Sequence, residues 1–288
     1  PQAGYIGVVL GSESNEKALN ESNAFTPSST SPHIDLAGRR FHIGTIDNAD
    51  VVYVKSGGST PNTVITAQIL LATFEIRGVV QVGGAGAIND TLSVGDVSVP
   101  GKIAYIGDWT WGSFYTKETK GPLQFGRYNL PEPGSNYLQS IAFNPLELYS
   151  SNDNGKIVFW LRPDDYYLDV ASRLEGVKLE KCASKAHCLT ENPKVVVGLR
   201  ATSADIYVVN DAFKGFVNKQ FESSAVDTNS AAFAFTAISN GVPFISFRGV
   251  SNSASGSSSG SSYLGSVNAV NAAVKFIGSL PQPRVYDN

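Results

Sequence analysis

The chain contains no methionine, only three histidines and only two cysteines in 288 residues. Charge is scarce as well: 16% of residues are charged, and 22 Lys and Arg against 25 Asp and Glu leave a formal net charge of −3. So sparse and balanced a charge provides no broad basic surface, which excludes a nucleic-acid partner. No apolar run approaches the roughly 18 residues of a membrane-spanning helix, so no membrane partner is expected. The longest run, Ile65 to Phe74, is interrupted by Thr66, Gln68 and Thr73. There is no internal repeat. His33, His42 and His187 have no partner at a spacing that suits a metal site or a catalytic triad, so they read as surface or packing residues. The absence of methionine, with Pro1 at the start, predicts a mature chain cut from a longer precursor. What the sequence does hold is 42% hydrophobic residues, enough for a sizeable core and too many for disorder.

Cys182 and Cys188 lie in the run KCASKAHC. Zinc normally takes four ligands, and no second cysteine pair exists. A local disulfide is the favoured reading, which implies an oxidising compartment. Two reduced thiols, or a loose metal pair with His187, are the alternatives. The sequons Asn20-Glu21-Ser22 and Asn89-Asp90-Thr91 fit the same compartment.

Along the chain, Gly4 to Leu10 reads as a short buried strand, followed by a helix over Glu13 to Asn20. Phe41 to Ile46 and Val51 to Val54 read as a hairpin around Asp47-Asn48-Ala49-Asp50. Residues 61 to 75 form a helix with Pro61 near its start. Val79 to Val82 is a buried strand running into Gly83-Gly84-Ala85-Gly86, and strands are expected over Val94 to Pro100 and Lys102 to Tyr105. Residues 107 to 155, rich in Gly, Pro, Asn and aromatics, read as one long irregular excursion in which Trp109 and Trp111 line a pocket or fill the loop. Helices follow over Asp164 to Leu174, Asp211 to Phe221 and Asn229 to Ser239, and strands over Lys194 to Leu199 and Pro243 to Arg248. Residues 253 to 262, SASGSSSGSS, read as a mobile low-complexity loop. A last helix, 264 to 278, puts Leu264, Val267, Val270, Val274 and Ile277 on one stripe with Phe276 off it. The alternation of strand and helix predicts one α/β domain over 1 to 288 with a partly parallel sheet.

The segment Gln81 to Pro100, QVGGAGAINDTLSVGDVSVP, carries the main motif. Glycines after a buried strand let the backbone approach an anion or a sugar; the plainer reading is a tight strand-to-helix turn. No Gly-Lys-Ser/Thr follows, and the spacing does not match a dinucleotide fingerprint.

Gly83-Gly84-Ala85-Gly86 followed by Val94-Gly95-Asp96-Val97 resembles the GxAG…xGD signature of the nucleoside phosphorylase and methylthioadenosine nucleosidase superfamily. Four other segments agree in order. Gly7 to Leu10 is similar to its first strand, Val54-Lys55-Ser56-Gly57 to its KSG turn, Ala225 to Asn229 to its VEME helix start, and Pro243 to Asn252 to its PFxxxRxxSD strand. Arg39 to His42, Gly107 to Trp111 and Val158 to Leu161 narrow the resemblance to plant bark and vegetative storage proteins. The resemblance implies a three-layer α/β/α fold with a mixed, partly barrelled sheet and a site at the strand ends. It implies a purine base or nucleoside as ligand, phosphate or water as co-substrate in active members, and no cofactor. It also implies a vacuolar or secreted plant protein. A homo-oligomer follows only by analogy, since members form dimers, trimers or hexamers.

The superfamily cleaves the bond between base and ribose, which needs a proton or strong donor at the base. The Asp that supplies it is replaced by Asn252, after Ser251. The Glu that activates water in the nucleosidases aligns with Asn15; a one-residue gap would put Glu16 there instead. Phosphorolysis needs cations around the phosphate. Yet Gln81 stands where related phosphorylases carry Arg, Gly84 stands at a Ser or Thr position, and residues 11 to 19 offer only Lys17. Gly11, Lys55, Ser56, Gln81 and Gly84 mark the expected phosphate position. The ribose-holding Glu is replaced by Asn229, following Asp227 and Thr228. Ser203 to Tyr207 resembles the family's SGDAF run, which makes Tyr207, beside Val208, the base-stacking ring; the alternative is an ordinary core aromatic. Arg248 reads as a structural residue pairing near a strand end. Gly83, Gly84 and Ala85 complete the expected nucleoside site. The resemblance therefore implies a storage protein with a degenerate nucleoside pocket. The alternatives are an active nucleoside phosphorylase or nucleosidase, with Asn252 on the base and Glu13, Glu16 or Asp227 as carboxylate, and a silent binder of adenine or a nucleoside.

Overall fold

A computed structural model describes residues 4–111, 141–149, 155–253, 256–257 and 262–282. Strand β1 (Tyr5–Leu10) leads into helix α1 (Glu13–Ser22), and β2 (Arg39–Ile46) and β3 (Ala49–Lys55) form a hairpin. Helix α2 (Thr60–Thr73) precedes the long β4 (Ile76–Ala87), then β5 (Val97–Val99) and β6 (Lys102–Tyr105). After α3 (Asp165–Ser172) come β7 (Val195–Val197), β8 (Arg200–Ser203), α4 (Asp211–Phe221) and β9 (Ser223–Asp227). Helix α5 (Ser230–Ser239), β10 (Phe244–Ser253) and α6 (Ser262–Ser279) complete the order.

Three layers result. On β1, Ile6, Val8 and Leu10 pack toward α1, α3 and α6, where they meet Leu19, Val170, Val270 and Phe276. Val9 points the other way with Val52 and Val54 of β3, against Ala67 and Leu70 of α2 and Phe233 and Ala234 of α5. This alternation is the period-two pattern of a strand buried on both faces. The sheet is mixed: β1 runs parallel to β3 and β4, β10 runs parallel to β4, and β9 runs antiparallel to β4. Part of it closes on itself. β4 pairs β10, β10 pairs β5, β7 and β8 pair β5 and β6 respectively, and β8 pairs β9, which returns to β4. The corner falls at Gly101 and at Gly198, whose φ of 94° favours glycine.

Local chemistry explains the helix starts. Ser12 caps α1 by accepting from the Asn15 amide, and Ser59 caps α2, whose first turn holds Pro61. Helix α5 is capped from outside: Asp227 Oδ1 accepts the amides of Asn229 at 2.9 Å and Ser230 at 2.7 Å.

The structure departs from the sequence reading in several places. Gly83 to Gly86 is no turn: β4 continues through it to Ala87 and no helix follows. The β2–β3 turn is only Asp47-Asn48, because Ile46 already pairs with Ala49. The strand expected over Val94 to Pro100 is confined to Val97–Val99. Phe276 is wholly buried, while Val267 and Val274 are only half-buried, so the core stripe of α6 is rotated from the expected one. Small residues cause the rotation: Gly265, Ala269, Ala272 and Ala273 bring the helix close to the sheet and leave room for the larger ring. Of the excursion 107–155, residues 112–140 and 150–154 lie outside the described residues, and of the Ser/Gly loop 253–262 so do 254–255 and 258–261. The described flanks of the excursion are two short antiparallel pairs, Trp109–Trp111 with Ile141–Phe143 and Leu146–Leu148 with Lys156–Val158.

Candidate functional site

A pocket opens where one edge of β4 changes partner. β1 pairs with β4 only as far as Leu10 opposite Val82, and β9 takes over at Val226 opposite Gly86. Between them Gly83, Gly84 and Ala85 have no strand on that edge among the described residues, so their backbone forms a floor. The cavity above it is about 360 Å³ and holds Gly11 and Ser12 at the end of β1 and Val226 to Asn229 at the end of β9. Ile206, Tyr207 and Val208 follow β8 on one side. Arg248, Gly249, Ser251 and Asn252 of β10 form the back, and Ser262, Tyr263 and Ser266 of α6 face Ser14 of α1.

Two charged groups line this pocket. The Asp227 carboxylate is wholly shielded, and its oxygens are heavily engaged. Besides the two α5 amides, Oδ1 accepts from Ser203 Oγ at 3.0 Å and Oδ2 accepts from Ser230 Oγ at 2.6 Å. Arg248 lies opposite Gly83 in the strand pairing and is only 2% exposed. Its Nη2 donates to the Gly84 carbonyl at 2.6 Å and sits 3.6 Å from Asp227 Oδ1. Its Nε and Nη1 have no partner among the described residues. Burial pushes the guanidinium below its ordinary value, and Asp227 opposes that shift. A Cβ at residue 83 would collide with Arg248 Nη1, so the glycine here makes space for the cation as well as for a ligand.

Among the expected site residues, Gly11, Gly83, Gly84, Ala85 and Ser251 line the pocket. So do Tyr207, Val208, Asp227, Thr228, Asn229 and Asn252. Tyr207 is 87% exposed at the rim, which rules out the core-aromatic reading. Asn229 is buried, with Oδ1 accepting from Gln81 Nε2 at 3.3 Å.

Five expected residues are not brought into the pocket. Lys55 Nζ is held by the carboxylates of Glu13 and Glu16, which raise its pKa. Glu16 points toward β2 and β3, 2.7 Å from Lys55 Nζ and 3.9 Å from His42 Nε2, so it does not fill the general-base position. Asn15 is wholly buried in the first turn of α1; its Oδ1 accepts from Ser12 Oγ at 2.8 Å and its Nδ2 has no partner among the described residues. Ser56 Oγ donates to the carbonyl of Gly57 at 2.9 Å. Gln81 sits beneath the floor, accepting from Ser246 Oγ at 2.8 Å and supporting Asn229. Trp109 packs edge-on against Phe143, away from the pocket, with its indole N–H on the Ile106 carbonyl. Elsewhere, Cys182 and Cys188 form a disulfide in an exposed two-strand ladder.

Sequence reasoning missed several lining residues, among them Arg248 and Tyr263. Arg248 was read as merely structural, although a lone arginine within PFISFRGVSN signals a buried cation in need of partners. Tyr263 and its serine neighbours were obscured by the low-complexity run before them.

Fold and site together define a nucleoside phosphorylase-like protein. The phosphorylase superfamily profile matches residues 5–277, and the chain belongs to that superfamily. It is 43% identical to bark storage protein A of Populus deltoides over 97% of this chain and 90% of that protein, and equally similar to bark storage protein B of the same species. A solved 5'-methylthioadenosine/S-adenosylhomocysteine nucleosidase of Colwellia psychrerythraea, in complex with adenine, superposes with a TM-score of 0.65 at 21% identity, covering 96% of each chain. The S. pneumoniae nucleosidase with a transition-state inhibitor superposes with a TM-score of 0.67 at 16% identity, covering 96% of this chain and 100% of that one.

Proposed function

We propose that the protein is a plant storage protein on a nucleoside phosphorylase scaffold, whose pocket still accepts a purine base or nucleoside but cleaves the glycosidic bond feebly or not at all. The carrying observation is the state of the pocket's ionisable groups. Asn252 and Asn229 are amides, which donate hydrogen bonds but transfer no proton. Asp227 is committed to Ser203, Ser230 and the start of α5. Glu13 and Glu16 are committed to Lys55. The 43% identity to bark storage proteins supports the storage role, and the adenine named for the Colwellia enzyme supports a purine as ligand. The disulfide and the exposed sequon at Asn20 suit a vacuolar or secreted address.

An active phosphorylase is the alternative, favoured by Arg248. The cradle is not without a cation, and a buried guanidinium with two unpartnered nitrogens would favour an anion. Incubation with adenosine, inosine, uridine and methylthioadenosine, with and without phosphate, decides between them when free base is followed by chromatography. The storage reading predicts no release above the background. Release that requires phosphate would establish the phosphorylase.

A further inference from the structure

The pocket is asymmetric in its chemistry. In the order of the sheet, β8 and β9 lie on one side of β4 and β1 on the other. Tyr207 and Val208 therefore stand on one side, the glycine floor with Arg248 in the middle, and the first turns of α1 and α6 on the far side. Gly11, which leads into α1, adjoins Gly83 and the Asn229 amide, so α1 borders the middle of the pocket directly.

That far wall consists of Ser12 and Ser14 from α1 and Ser262, Tyr263 and Ser266 from α6. Tyr263 is fixed from behind: its hydroxyl donates to Glu21 Oε2 at 2.7 Å, and Lys17 Nζ sits 5.0 Å from its ring centroid. Ser12 Oγ is committed to Asn15. The side chains of Ser14, Ser262 and Ser266 make no hydrogen bond to another described residue. Among the described residues, apart from the Tyr263 ring, the wall is a set of small neutral hydroxyls with no aliphatic side chain.

We infer that this wall selects nucleosides by their 5' end, taking a free 5'-hydroxyl in preference to a 5'-thioether. The inference rests on the reading of the pocket as a nucleoside site, with the base between Tyr207 and Asn252 and the ribose over the glycine floor. In that pose the 5' substituent is carried to the α1–α6 wall. A 5'-hydroxyl exchanges hydrogen bonds with the free serines. A methylthio group covers the same hydroxyls without returning those bonds, which leaves them desolvated and unpaired.

Titration calorimetry on the full chain with adenine, adenosine and 5'-methylthioadenosine tests this. Adenosine should bind at least about fivefold more tightly than 5'-methylthioadenosine, the worth of one net hydrogen bond. The Ser14→Ala, Ser266→Ala double variant should bring the adenosine and methylthioadenosine affinities together. Methylthioadenosine binding as tightly as adenosine, or a ratio unmoved in the double variant, overturns the inference while adenine binding leaves the base site standing. Failure of adenine itself to bind overturns the base site, and the 5' selectivity with it.

Discussion

At the residue scale, the pocket is defined by what each polar group already holds. Asp227 accepts from two hydroxyls and two amides and faces Arg248 at 3.6 Å, so it serves as a cap and a counter-ion. Asp227→Asn leaves a buried guanidinium without its counter-charge and should cost about 3 kcal/mol, read as a lowered urea midpoint at unchanged m-value. His42 gives a pH signature. It stacks on Tyr53 with ring centroids 4.3 Å apart, and burial lowers its pKa from 6.5 against the pull of Glu16. Above pH 6.5 the imidazole is neutral in both folded and unfolded chains. As pH falls below 6.5 the unfolded chain takes the proton first, so this stabilisation is lost progressively until the folded value is passed. The stability of wild type should therefore fall more steeply from pH 7 to 5 than that of His42→Asn, as measured by denaturant unfolding at each pH. The amides at 229 and 252 were legible in the sequence because single motif positions carry them. The commitments of Lys55 and Glu16 were not, since they depend on how the first turn of α1 lies against the end of β3.

At the element scale, the close approach of α6 to β10 rests on glycine facing glycine. A Cβ on Gly249 would collide with the Gly265 carbonyl, a backbone atom that cannot rotate away. Gly249→Ala should destabilise by about 3 kcal/mol, whereas Gly58→Ala, where nothing lies near the added carbon, should be far milder; thermal unfolding of the two variants makes the comparison. Most elements were legible. Val79 to Val82 and Phe244 to Phe247 read as buried strands, and the helices starting after Ser12 and Ser59 carried their own caps. Extension of β4 through Gly83 to Ala87 was not legible, because glycine-rich runs resemble turns until a strand on the neighbouring edge, here β10, supplies the pairing. The same pairing puts Arg248 beside Gly83, a contact across 165 residues that no local pattern encodes.

At the scale of the whole molecule, a three-layer scaffold surrounds a pocket lined by the amides of Asn229 and Asn252. The disulfide contributes little to that scaffold, since it closes a loop of separation 6 in an exposed ladder. Cys182→Ser with Cys188→Ser should lower stability by no more than about 2 kcal/mol, as read by guanidinium unfolding of variant and wild type. The superfamily fold was legible from five motifs in order. The retained cation was not, because its role depends on the closed part of the sheet. The most direct measurement of the central claim is adenine release from adenosine in phosphate-free buffer, by wild type beside an Asn252→Asp variant, whose residue lines the pocket. Wild type should stay at the buffer background, and the variant, given an acid, should exceed it by on the order of a hundredfold or more. Wild type releasing adenine at about 1 s⁻¹ or faster, an ordinary enzyme turnover, would contradict the account.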